Sequence, residues 1–223
     1  MLPPLAEFIE NPETRCPAVL VLDTSASMKG AAITELNAGV RAFFNDIRSD
    51  PLATLRVELA MVCFGGGARL ERDFATLDVG AVPELAAGGN TPLGAALHLA
   101  VDALEYRVNR YRAAGIAHYR PWLFLITDGR PTDGIAWQLA AQRAQHADLS
   151  GALALYPIGV AKADMALLAE LASPLRAPIL LDGLRFRDLF EWMSRSMRRV
   201  SLSRIGTRQP PLPELGDWAL SGS

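Results

Sequence analysis

A chain of 223 residues, half of them hydrophobic, can bury the core of one large α/β domain or at most two small ones. Its 24 acidic and 22 basic residues leave a formal net charge of −2, so nothing global favours nucleic acid, which asks for a basic domain or stripe. Two cysteines, Cys16 and Cys63, are too few for a disulfide framework, lack C-x-x-C spacing, and read as core thiols.

Residues 1–7 show no basic stretch followed by an apolar one, and no apolar run approaches the roughly 20 residues of a membrane span. The expectation is a soluble cytoplasmic protein with no membrane or nucleic-acid partner.

The apolar run 18–22 predicts a central strand covered on both faces. It ends at Asp23-Thr24-Ser25-Ala26-Ser27, where a carboxylate and two hydroxyls converge at the mouth of a buried strand. Oxygen donors of this kind suit Mg²⁺ or Mn²⁺ rather than zinc or copper, because hard cations prefer carboxylate, hydroxyl and water oxygens. The blander reading of the same residues is a turn that caps the next helix. That helix is predicted over 31–47, from Ile33, Leu36, Val40, Phe43, Phe44 and Ile47 at three- and four-residue steps.

Residues 56–64 and 68–74, separated by Gly65-Gly66-Gly67, predict a β-hairpin whose glycines supply positive φ angles. Gly88-Gly89-Asn90-Thr91-Pro92-Leu93-Gly94 leads into a helix over 92–114, with Thr91 as cap and Pro92 in its first turn. A second buried strand, 122–127, ends at Thr127-Asp128-Gly129-Arg130-Pro131-Thr132-Asp133. Asp133 reads as the cap of the following helix, 135–149, or as a support for the site. A strand over 152–160, a helix over 164–172 capped by Asp164, a short strand over 179–181 and an amphipathic helix over 186–202 complete the pattern.

Strands alternating with helices, joined by one early hairpin, predict an α/β fold: a doubly wound, mostly parallel six-stranded sheet with one antiparallel edge strand and helices on both faces. The organisation expected is an N-terminal extension 1–16, a domain 17–202 and a proline-rich tail 203–223. The tail's Pro210-Pro211-Leu212-Pro213 and Trp218 either pack back on the domain or insert into a partner. Arg185, Arg187, Arg195, Arg198, Arg199, Arg204 and Arg208 read as a solvated face or as a docking patch for an acidic partner. His98, His118 and His146 share no metal-ligand spacing, and Trp192, Met193 and Met197 read as core.

In an open parallel sheet, ligands bind beyond the carboxyl ends of the strands. Asp23 and Asp128 both follow buried strands, and Thr91 can close a third side. Asp23-x-Ser25-x-Ser27, Thr91 and Asp128-Gly129 resemble the metal-ion-dependent adhesion site of von Willebrand factor type A domains, and the resemblance runs from Pro17 to Leu202. It implies a Rossmann-like fold with Mg²⁺ or Mn²⁺ as cofactor. Ser25 and Ser27 would bind the cation through their hydroxyls, Asp23 and Asp128 would ligate or orient water, and Thr91 would bind directly or through water. An acidic side chain of a protein partner would be the last ligand. Ala26 stands where glycine is frequent in the family, which removes no ligand.

The three loop segments look most like a bacterial intracellular group associated with tellurium resistance and stress response. That likeness implies a non-catalytic protein-interaction module in a phosphorylation-linked assembly, beside kinases and phosphatases. Two other readings compete. A Mg²⁺-dependent phosphohydrolase is weakened because Ser25 stands where aspartate-nucleophile phosphatases carry a second aspartate, and G-x-x-x-x-G-K-[ST] and G-x-S-x-G motifs are missing. The other is a subunit of an ATPase or metal-chelatase assembly, which shares the site and differs in its partner.

Overall fold

The computed structural model describes residue 8 and residues 11–78, 80–203 and 212–221. Seven strands, β1 (Cys16–Asp23), β2 (Val57–Phe64), β3 (Ala68–Thr76), β4 (Trp122–Thr127), β5 (Ala154–Gly159), β6 (Ile179–Leu181) and β7 (Ala219–Ser221), form one sheet in the order β3-β2-β1-β4-β5-β6-β7. The five inner strands run parallel, and β3 and β7 are antiparallel at the two edges. The helices are α1 (Ala31–Arg48), α2 (Pro51–Arg56), α3 (Leu93–Ala114), α4 (Ala136–Leu149), α5 (Met165–Leu171) and α6 (Phe186–Ser201).

The period-two alternation of a strand divides β1 between two cores. Leu20 and Leu22 join Phe43, Phe44 and Phe190 on the α1/α6 face, while Val19 and Val21 join Leu97, Leu104 and Ala144 on the α3/α4 face. This is the doubly wound, mostly parallel α/β architecture that the alternating elements predict. Far from the candidate site, Glu58 near the start of β2 accepts from Arg15 and Arg107, both at 2.7 Å, and from Tyr111 at 2.5 Å. Cys16 and Cys63 are buried free thiols, and burial pushes each up to about 12. Among the described residues no helix is long and apolar enough to cross a membrane.

Two local differences have physical reasons. Arg56, expected in a strand, ends the short helix α2, because Pro51 fits its first turn and Asp50 accepts from the Leu52 and Ala53 amides. The sheet also has one strand more than expected, contributed by the tail. Residues 219–221 lack a β-branched signal, and they are held by neighbours. Trp218 is buried against Trp192, with ring centroids 6.0 Å apart, and its carbonyl accepts from the Asp182 amide at 2.8 Å. Trp192 Nε1 donates to the Pro213 carbonyl at 2.9 Å. Over 212–221 the tail therefore packs back on the domain.

Trp192, Met193 and Met197 are core residues, as expected. On the arginine-rich helix, Arg185 pairs with Asp188 and Asp217 and Arg198 with Asp46, while Arg187, Arg195 and Arg199 are exposed. Arg204, Arg208, Pro210 and Pro211 lie outside the described residues, as do residues 1–7, 9 and 10.

Candidate metal centre

After β1 the chain passes to α1 on one face of the sheet, and after β4 it passes to α4 on the other. The crevice between two such neighbouring strands is where an open α/β sheet binds ligands. Asp23 ends β1 and Asp128 directly follows β4, so both carboxylates reach this crevice. Ser27 Oγ donates to Asp128 Oδ1 at 2.7 Å and lies 3.0 Å from Ser25 Oγ. The buried Asp23 accepts from the Ser25 amide through Oδ1 at 2.9 Å and from Thr127 Oγ1 through Oδ2 at 2.5 Å. In the sequence Thr127 looks like one more strand residue, with no local signal of this role. Its hydroxyl also accepts from the Gly129 amide at 3.2 Å.

None of the three β1-loop residues caps α1. The helix begins after Gly30, at φ 83°, without a side-chain cap, and Ser25 precedes a separate 3₁₀ turn over Ala26–Met28 without capping that either. The loop is shaped instead by backbone contacts with two glycine clusters. Thr24 donates its amide to the Phe64 carbonyl at 2.9 Å and accepts from Gly88 at 2.8 Å. Ala26 donates to Gly89 at 3.0 Å, and Gly66 to Asn90 at 2.9 Å. A Cβ on Gly65 would stand 2.2 Å from the Thr24 carbonyl oxygen, and one on Gly89 2.4 Å from the Gly66 backbone. The triple glycine read as turn chemistry also lets the loops bearing Asp23 and Thr91 interlock.

Thr91 is gripped from the other side by the β4–α4 loop. Its amide donates to Thr132 Oγ1 at 3.0 Å, and its carbonyl accepts from the Thr132 amide at 2.9 Å. It does not cap α3 through its side chain; Pro92 holds that position. Asp133 does not cap α4 either. Its Oδ2 accepts from the Ala95 amide in the first turn of α3 at 3.1 Å, which ties the two loops together.

Oxygens of two loops face one open point at Gly129, which lies on the third. A Cβ on Gly129 would stand 3.6 Å from both Asp23 Oδ2 and Thr91 Oγ1, and 3.7 Å from Ser27 Oγ. Glycine leaves that space empty of side chain. Burial raises the Asp23 carboxyl above the usual aspartate range, hydrogen bonds from Ser25 and Thr127 oppose the rise, and the Asp128 charge adds to it. A positive charge in this crevice would relieve both unfavourable effects. Two carboxylates and neutral hydroxyls fit a small, hard divalent cation. Among the described residues no three of His, Cys, Asp and Glu cluster as metal ligands, so the softer donor sets are not built here.

The family model of the von Willebrand factor type A domain matches residues 18–180. Among solved structures, the chain is similar to the vWF domain of the type V pili tip protein Mfa5 from Porphyromonas gingivalis. The TM-score is 0.60 at 13% identity, covering 88% of this chain and 99% of that one. It is similar to the pilus adhesin SpaC from Lactobacillus rhamnosus GG in its open conformation, with TM-score 0.67 and 13% identity over 83% of this chain and 30% of SpaC. Proximal thread matrix protein 1 from the mussel byssus gives TM-score 0.56 at 14% identity, over 83% of this chain and 48% of the mussel chain. The chain thus spans less than half the length of the latter two proteins, and likeness at these identities carries the fold alone. No curated protein sequence matches the chain.

Proposed function

The chain belongs to the von Willebrand factor type A domain family, and we propose that it acts as a non-catalytic, divalent-cation-dependent protein-binding module. The observation that carries this reading is the convergence of Asp23, Thr91 and Ser27 oxygens on the open point before Gly129. In this reading Asp23, Ser25, Ser27, Thr91 and Asp128 hold Mg²⁺ or Mn²⁺. The cation supplies an electrophilic position for a carboxylate of the partner. The chain's own residues prepare the site: Thr127 and the Ser25 amide orient Asp23, Thr132 fixes the backbone of Thr91, and Ser27 links the β1 and β4 loops.

The likeness of segments 22–28, 88–94 and 125–133 to the tellurium-resistance and stress-response group supports a cytoplasmic role beside a phosphorylation-linked assembly. An ATPase-assembly role would use the same site with a different partner. The test is calorimetric titration of Mg²⁺ and Mn²⁺ into the wild type and a Ser25→Ala/Asp128→Ala variant, with capture from native lysate in metal and in chelator. Cation binding and metal-dependent capture, both lost in the variant, are the expected result. Undiminished cation binding by the variant would refute the assigned ligands.

A further inference from the structure

Three exposed basic side chains stand on the loops around the candidate metal centre. The chain's two lysines, Lys29 and Lys162, are exposed, one just past Ser27 and the other in the β5–α5 loop. Arg130 stands between them, exposed and paired with Asp164 at 2.6 Å. The β5–α5 loop starts beside the β4–α4 loop, where the Val160 amide donates to the carbonyl of Thr127, the last residue of β4, at 3.0 Å. Ala161, next to Lys162, is the one non-glycine residue with positive φ among those described, at 53°. Backbone held in that region by its surroundings points to a functional segment.

Directly after the metal loop, the outer face of α4 has a different character. Ile135, Leu139 and Leu149 are 71%, 56% and 54% exposed, and Gln138, Gln142 and His146 fill the stripe between them. Arg143 on the same helix turns away to pair with Asp102 and Glu105 of α3, at 2.6 and 2.8 Å. Asp148 is buried against Arg120. A groove of about 400 Å³ runs between α4 and α5, lined by Ile135, Leu139, Gln142, Gln145 and Glu170. Gln145 is preorganised as its floor, donating to the Glu170 and Ala172 carbonyls at 2.6 and 3.0 Å. Glu170 lies level with Gln145, about 15 Å along the helix from Ile135.

With a divalent cation in the site, that cation and Lys29, Arg130 and Lys162 offset the carboxylates of Asp23, Asp128, Asp133 and Asp164 at the metal end. The surface is uncharged along its length, with Ile135 and Leu139 exposed among glutamines, and acidic at its foot. Resting on the metal-site reading, we propose that it receives a protein segment with an acidic head and an apolar body. The head's carboxylates meet the metal loops under Lys29, Arg130 and Lys162, and the body lies over Ile135 and Leu139. The bound cation with Lys29 and Lys162 favours a carboxylate at the metal end, and Glu170 disfavours one at the foot, which sets the direction of the segment.

The test is selection of a random 12-residue displayed peptide library on the full chain in Mg²⁺. Enriched peptides are then synthesised and titrated by fluorescence polarisation against wild type, Ile135→Ser/Leu139→Ser and Lys162→Glu. Both groove residues are more than half exposed, so the fold should survive, which circular dichroism checks. The expected peptides carry Asp or Glu followed within a few residues by Leu, Ile, Met or Phe. Their affinity should fall about tenfold in the groove variant, while Mg²⁺ still raises its melting temperature as in wild type. Lys162→Glu should weaken binding and flatten its salt dependence.

Peptides that need Mg²⁺ but bind the groove variant undiminished would overturn this inference and leave the metal reading standing. Peptides that need the groove but ignore chelator would overturn the acidic head together with the metal reading. Failure to enrich any peptide, or sedimentation showing the groove closed by a second copy of the chain, would overturn the proposal.

Discussion

Ser27 and Asp128, 101 residues apart in the chain, are joined by a 2.7 Å hydrogen bond from Ser27 Oγ to Asp128 Oδ1. It bridges the loops after β1 and β4, which meet only because those strands are parallel neighbours in the sheet. If both residues hold the cation, they govern its contribution to stability. A ligand present at 100 times its dissociation constant adds about 2.7 kcal/mol, or roughly 5–10 °C in a domain of this size. Mg²⁺ should produce such a rise in wild type, a smaller one in Ser27→Ala and none in Asp128→Ala. Thermal unfolding with and without chelator measures it, and an unchanged rise in Asp128→Ala would remove that residue from the site.

Gly129 offers a cleaner separation of fold from binding. A Cβ there meets its nearest neighbours at 3.6–3.7 Å, which is ordinary van der Waals contact, so Gly129→Ala should fold normally. The methyl group would nevertheless stand among the Asp23, Thr91 and Ser27 oxygens. We expect a metal-free melting temperature within about 2 °C of wild type and no stabilisation by Mg²⁺ or Mn²⁺. Normal cation binding by this variant would place the cation elsewhere.

Gly65 predicts the opposite outcome. Its Cβ would clash with the Thr24 carbonyl oxygen, which accepts from Gly88 and cannot yield without moving the β1–α1 loop. Gly65→Ala should therefore destabilise the metal-free protein by about 2 kcal/mol or more, read from denaturant unfolding. A neutral effect would mean that the interlock is looser than these contacts require.

What the sequence could reveal follows from where each signal lies. Asp23, Ser25, Ser27 and Asp128 could be read because each follows a local apolar run that marks a strand end. Gly65 and Gly89 could be seen, but a glycine required for positive φ and one required for close backbone approach look alike in sequence. The partner that decides, the Thr24 carbonyl, is distant in the chain. Asp133 misled for the same reason. Its nearest helix in sequence is α4, whereas the amide it accepts from belongs to Ala95, 38 residues away. The strand at 219–221 carries no propensity signal, because Trp218, Trp192 and the edge of β6 hold it in place.

Asp23 makes the stability pH-dependent. Below the unfolded carboxyl value both states hold the proton and nothing is lost. Because burial raises the folded value, the metal-free fold loses stability as pH climbs through the window between the two, and the full penalty stands above it. If Asp23 holds Mg²⁺, the cation competes with that proton, and its stabilising effect should grow with pH over the same window. Asp23→Asn should remove the penalty, leaving the variant more stable than wild type in chelator at pH 7, with the difference shrinking toward zero as pH falls to about 3. Unfolding series from about pH 3 to 8 test this, and a wild-type/variant difference that does not vary with pH would sink it.

The docked tail can be tested without touching the site. Trp218 is 4% exposed, and burying an indole is typically worth about 3–5 kcal/mol relative to alanine. Because β7 is a three-residue edge strand paired with β6 alone, Trp218→Ala should release it from β6 before the domain unfolds. The Asp182 amide, which donates to the Trp218 carbonyl, reports that release. Its hydrogen-exchange protection should fall by at least about 100-fold. The candidate metal centre lies between β1 and β4, with β5 and β6 separating it from β7, so about 15 Å of sheet intervenes. The Mg²⁺-induced rise in melting temperature should therefore survive the substitution. Its loss would show instead that the tail and the metal loops are coupled through α6, which packs against Trp218 by way of Trp192.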